Sequence, residues 1–107
     1  MKDGVSFMTN SYVMLDWPDN FLARYFWSND IKNLHKYIEL DEKGLSLSMK
    51  YLTEDERYIF KRFFKDRALY CEIKDELNLD DNIRWVVECI IRKLHDPKIS
   101  KRFIRYK

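Results

Sequence analysis

From Thr53 to Pro97 apolar residues recur at helical spacing, and caps rather than glycines punctuate the repeat. That pattern constrains the fold more than any other feature. Thr53-Glu54-Asp55-Glu56 reads as a capping box: the Thr53 hydroxyl takes an orphan backbone N–H and Glu56 reaches back to the cap amide. Glu54 and Asp55 suit the positive end of the same helix. Ile59, Phe60, Phe63 and Phe64 supply its buried stripe, and a break falls near Lys65-Asp66-Arg67. A short helix then carries Leu69, Tyr70, Ile73 and Leu77. Asn78 stands where helices often end in a left-handed residue, and Leu79 follows as a buried plug. Asp80, Asp81 or Asn82 caps a longer helix with Ile83, Val86, Val87, Ile90, Ile91 and Leu94 on one face, which Pro97 stops. A short helix, a tight turn and a longer helix make a helix-turn-helix.

The first half is less sharply written. Asp16-Trp17-Pro18 opens a helix with Asp16 as cap, followed by the stripe Phe21, Leu22, Tyr25 and Phe26. Ser28 or Asn29 caps a second helix with Ile31, Leu34 and Ile38 on its apolar side. Leu45, Leu47 and Met49 alternate with period two after Asp41-Glu42-Lys43-Gly44. A short β-hairpin near 37–49 suits that spacing, and so does a plain helix-to-helix loop. Two glycines and two prolines in 107 residues, with 46% hydrophobic residues, exclude a disordered tail, a collagen-like repeat and a turn-rich β-sandwich. The expected fold is mainly α, with five or so helices. An aromatic-rich helical half, residues 1–50, packs in one domain with a helix-turn-helix half, residues 51–107. The Phe60, Phe63 and Phe64 cluster reads as core. Trp17, Phe26 and Trp27 read as core ahead of partner contact.

Charge is unevenly spread. Residues 92–107 hold seven Lys/Arg against one acid, whereas residues 51–91 hold seven against ten. A basic tail behind an acidic body suggests an electrostatic docking end; a fraying, solubilising C-terminus is the plainer reading. Apolar runs stop at four residues, short of the ~20 that span a membrane. Met1-Lys2-Asp3-Gly4 opens no secretory signal, so a cytoplasmic location is expected. His35, His95, Cys71 and Cys89 show no metal-ligand spacing, and the two cysteines read as free thiols. There is no glycine-rich phosphate loop and no nucleophile elbow. Neither an enzyme, a metal nor a cofactor is expected.

Three pieces of the second half resemble region four of the sigma-70 family of bacterial RNA polymerase sigma factors. The first is Leu52-Thr53, Glu56, Ile59-Phe60 and Phe64. The second is Tyr70-Cys71-Glu72-Ile73 through Leu77-Asn78-Leu79. The third is Ile83-Arg84, Val86, Ile90-Ile91-Arg92-Lys93-Leu94 and Pro97, with Ser100, Arg102 and Phe103 where the family has a last short helix. The resemblance covers residues 51–106. It implies a recognition helix in the major groove of the −35 promoter element. It also implies a hollow that grips the flap of the polymerase β subunit. Two departures stand out. Leu79 to Ile83 is one step shorter than in the family. The first turn reads Asp80-Asp81-Asn82 where the family is usually basic, and carboxylates repel phosphates. Residues 1–50 do not resemble the region that melts the −10 element.

The expected function is therefore a transcription-associated, region-four-like module that docks on RNA polymerase. It would act as one part of a split sigma factor or as a phage-type regulator, with duplex DNA as a second ligand. The candidate DNA contacts are Asn82, Arg84, Trp85, Glu88, Arg92 and Lys93 on the recognition helix, and Lys98, Lys101, Arg102 and Arg105 in the tail. Asn82 suits adenine, Arg84 suits guanine or phosphate, and the other cations suit phosphates. The alternative is a protein-interaction module, a small inhibitor or adaptor, that leaves DNA untouched.

Overall fold

The computed structural model describes residues 12–80 and 82–107. The readings placed on Met1–Gly4 and on Asp81 lie outside the described residues. Seven α-helices and one small antiparallel sheet run in the order α1 (Asp19–Phe26), α2 (Ile31–Tyr37), β1 (Ile38–Leu40), α3 (Glu42–Ser48), α4 (Glu54–Phe60), α5 (Tyr70–Leu77), α6 (Ile83–Leu94), α7 (Pro97–Ser100) and β2 (Ile104–Tyr106). Short 3₁₀ turns cover Tyr12–Met14 and Met49–Tyr51, and α4 continues into a π-helical turn, Lys61–Lys65.

The helix-turn-helix forms as its local signals dictate. Thr53 and Glu56 close the capping box reciprocally at 3.2 and 2.9 Å. Asn78 ends α5 at φ 52°, and the next helix is capped by Asn82, whose side chain accepts the Trp85 N–H at 3.3 Å. Ile83, Val87, Ile90, Ile91 and Leu94 are buried along α6. Pro97 both ends that helix and opens α7, with Asp96 as cap. The break after α4 is a slow one: the Asp66 N–H reaches the Lys61 carbonyl before Arg67 turns the chain at φ 58°.

Several boundaries differ from the sequence reading. Asp16 does not cap α1; its carboxylate pairs with Arg67 while Pro18 takes the cap position. Asp30, rather than Ser28 or Asn29, caps α2 by accepting the Asn33 N–H at 3.2 Å. Leu69 is the cap residue of α5 and is 64% exposed, so the stripe of that helix begins at Tyr70. Leu79 is half-buried. Strand β1 starts at Ile38, within the span considered for a hairpin, but its partner is β2 from the far end of the chain, with Leu40 opposite Ile104 and Ile38 opposite Tyr106. Residues 42–48 form α3 instead of a return strand. Leu45 turns inward and Leu47 outward, because helix period and Asp41 capping outweigh a period-two pattern of only three residues.

One aromatic core joins the two halves. Phe21, Phe64 and Phe103 are fully buried, and Phe21 lies 5.5 Å from the Phe64 ring and 6.1 Å from Phe103. Such ring pairs add about 0.5–1.5 kcal/mol each beyond their buried area. Polar ties cross the same seam: Asn20 Nδ2 donates to the Phe64 carbonyl and the Tyr25 hydroxyl to the Leu94 carbonyl. Burial lifts the Tyr25 hydroxyl above its ordinary pKa, so the ring stays a neutral donor. The C-terminus is tied in as well, since Lys107 donates to the Tyr37 carbonyl from its backbone and to the His35 carbonyl from its ammonium.

Candidate functional site

Helix α6 sets the geometry of the candidate site. Its apolar stripe is buried, so the opposite ridge faces outward with Arg84, Trp85 and Arg92 exposed. Trp85 is 54% exposed, and the Arg92 guanidinium lies 5.0 Å from its ring centroid. That cation–π contact sets the two side chains side by side on the exposed face of the helix.

The other candidates on the helix are occupied within the chain. Glu88 forms an ion pair with Arg24, whose Nε donates at 3.0 Å. Arg24 is only 3% exposed and stacks at 4.0 Å over Trp27, which is itself largely exposed. A buried guanidinium demands a counter-charge, so Glu88 serves the core and is withdrawn from the solvent ridge. Lys93 closes on Glu56 at 2.7 Å. Burial pushes the Glu56 carboxyl up, but hydrogen bonds from Lys93 and Thr53 outweigh it and leave the pKa lowered. The carboxylate thus serves the capping box and the ion pair together. Asn82 commits its carbonyl oxygen to capping, which removes half of the amide pair that reads adenine.

The tail candidates divide in the same way. Lys98 and Lys101 are exposed around α7. Arg102 lies 5.9 Å from the Tyr51 ring. Arg105 pairs with Asp41 at 2.6 Å, opposite α3. Hydrogen bonds from the Gly44 amide and from Arg105 lower the Asp41 pKa. The structure therefore pairs Trp85 with Arg92, leaves Arg84 exposed about a quarter-turn around α6, and leaves Lys98 and Lys101 facing solvent. Glu88, Lys93 and Arg105 each carry an ion pair within the chain, Glu88 with the buried Arg24, while Lys93 and Arg105 stay exposed at the surface. Around this ridge α5 exposes Glu72, Asp75 and Glu76, and the turn exposes Asp80.

Beside the ridge lies a hollow of about 370 Å³ between α4 and α6, lined by Ile59, Leu79, Val86 and Cys89 with Trp85 at one side and Asp55 and Glu56 at another. Its lining is largely apolar; of its two carboxylates Glu56 is taken by Lys93, which leaves Asp55 exposed beside it. A second feature escaped the sequence reading: Arg57, Lys61 and Lys65 line one groove with Trp17. The signal was present as cations four residues apart, but the apolar stripe of the same helix dominated its reading. Cys71 is exposed, Cys89 is half-buried, and both are free thiols. No group of three or more potential metal ligands occurs among the described residues. No described helix is long and apolar enough to cross a membrane.

Comparison with family models, curated proteins and solved structures finds no match to this chain.

Proposed function

We propose that the chain is a transcription-associated, sigma-region-four-like module that works by protein docking, with the flap of the RNA polymerase β subunit as its partner. One observation carries the weighting toward protein. The recognition ridge keeps two free cations, Arg84 and Arg92, while α5 and the turn around it expose carboxylates. Phosphate binding draws its affinity from neutralised charges, and two cations on α6 with Asp80 exposed in the turn before it supply little of it. The largely apolar hollow between α4 and α6, with Asp55 on its lining, instead suits a short apolar segment with one basic flank. Promoter contact in this reading is confined to Arg84, Trp85, Arg92, Lys98 and Lys101, and it is weak. A bacterial or phage cytoplasm is the setting that goes with it.

The test is co-purification with bacterial RNA polymerase core, run beside a mobility shift on duplex DNA carrying a −35 element at low salt. Polymerase binding that Trp85→Ala weakens at least tenfold, with little or no duplex shift, supports the reading. Loss of polymerase binding altogether would overturn it. A tight duplex shift that falls steeply with salt would transfer the weight to DNA. If neither ligand is bound, the adaptor alternative stands, with a different partner in the same hollow.

A further inference from the structure

We infer that the groove between α3 and the α4 rod is a second docking surface, built for an acidic amphipathic helix that inserts an apolar side chain. This goes beyond the polymerase reading and uses other residues. The groove holds about 190 Å³ and has a floor of Leu45, Met49, Phe60 and Trp17. Arg57, Lys61 and Lys65 line it, Lys61 also pairing with Asp66 at 3.3 Å, and Glu42, which accepts the Trp17 Nε1–H at 3.1 Å, is the one carboxylate among the lining residues.

The alignment of the three cations follows from the backbone. Four α-helical residues overshoot a full turn by about 40°, so a long stripe at spacing four drifts around a helix. The Lys61–Lys65 turn is π-helical and winds more slowly, which offsets the drift. Arg57, Lys61 and Lys65 therefore share one wall. Arg57 is fixed there by donating to the Met49 and Leu52 carbonyls at 3.4 and 3.2 Å. The Lys65 ammonium lies 5.1 Å from the Trp17 ring. Beyond the groove the charge continues, since Lys50 and Arg102 flank Tyr51 at 5.3 and 5.9 Å. Leu47 and Tyr51 are exposed beside them.

The form of the groove selects the partner class. A nucleic-acid strand needs free aromatic faces on which bases stack. Trp17 offers none, because Lys65 covers its ring and Phe21 and Phe60 pack at 5.8 Å against it. An apolar floor walled by cations instead matches a helix with one apolar anchor and glutamates to either side, the helix-in-groove mode with electrostatic complementarity at the rim.

The probe is a synthetic amphipathic peptide with leucines and one tryptophan on one face and glutamates on the other. Titrated into the ¹⁵N-labelled full chain, it should shift amides of residues 42–49 and 57–65. A counterpart with glutamine at every glutamate should bind about tenfold more weakly. Lys61→Gln with Lys65→Gln should cost a similar factor while far-UV circular dichroism is unchanged, and Glu42→Gln should tighten binding. Trp85→Ala, which tests the polymerase reading, should leave this titration unaltered. Absence of shifts at millimolar peptide, equal binding of the glutamine peptide, or shifts that map elsewhere would overturn the inference. Oligothymidylate moving the same amides while the peptide moves none would assign the groove to nucleic acid and overturn it equally.

Discussion

Gly44→Ala probes a close approach of backbone to backbone. A Cβ built on Gly44 falls 1.8 Å from the Arg102 carbonyl oxygen and 2.8 Å from its carbon. Real Cβ atoms essentially never come that near, and the obstacle is backbone rather than a side chain that could swing away. Relief requires α3 and the α7–β2 connection to part by more than an ångström. That movement would pull on the adjacent Phe103, whose ring is fully buried against Phe21 and whose carbonyl accepts the Asp41 N–H at 2.8 Å. Overpacking of this kind costs about 1–3 kcal/mol, and the rigidity of the obstacle places this case near 3. Alanine returns at most ~1 kcal/mol of helix propensity. The net expectation is a loss of about 2 kcal/mol, which for a chain of this size is a fall of roughly 10 °C in Tm. Thermal and urea melts followed by circular dichroism measure it, with Lys43→Ala on the exposed side of α3 as a control that should change little. A Gly44→Ala protein as stable as its parent would refute the packing of α3 under the C-terminal strand.

Two further outcomes follow from the ion pairs. Glu88→Ala strands the buried Arg24 guanidinium and should cost about 3 kcal/mol in urea unfolding; Arg24→Leu combined with Glu88→Leu should recover most of it, because the pair as a whole adds little over apolar packing. Equal losses for the single and the double variant would deny that Arg24 needs its counter-charge. Glu76 accepts hydrogen bonds from Arg62 and Tyr58, which hold its carboxyl down to about 2. Its folded pKa lies below the unfolded value of about 4.3, so its contribution is complete above that value and is lost as pH falls toward 2. Glu76→Gln should flatten the loss of stability between pH 5 and pH 2.5, measured from urea midpoints. An unchanged slope would show that this network does not hold in solution.

What was legible in the chain was what a single turn of helix can encode. The Thr53 box, the left-handed Asn78 and the stripe from Ile83 to Leu94 each involve groups at most a few residues apart. Their hydrogen bonds and periodicity are therefore written contiguously. Even here local signals mislead at Asp16 and Leu69, since a carboxylate that can cap can also pair with a distant Arg67, and a leucine on the stripe can stand at a helix boundary instead.

By itself, then, the sequence determined the helical class, the helix-turn-helix and the inward face of α6. Tertiary structure decided which polar groups remain for a partner. Arg24 meets Glu88, and Arg105 meets Asp41, across 64 residues, and Lys93 meets Glu56 across 37. The second strand and the demand for glycine at position 44 likewise come from the far terminus. No local pattern records such pairings, because the partners lie tens of residues apart and meet only in the folded chain. A charge that stands alone in the sequence acquires a partner when its counter-charge folds beside it, and that is why Arg84 and Arg92, rather than Lys93 or Glu88, are the charges of α6 that no ion pair engages among the described residues.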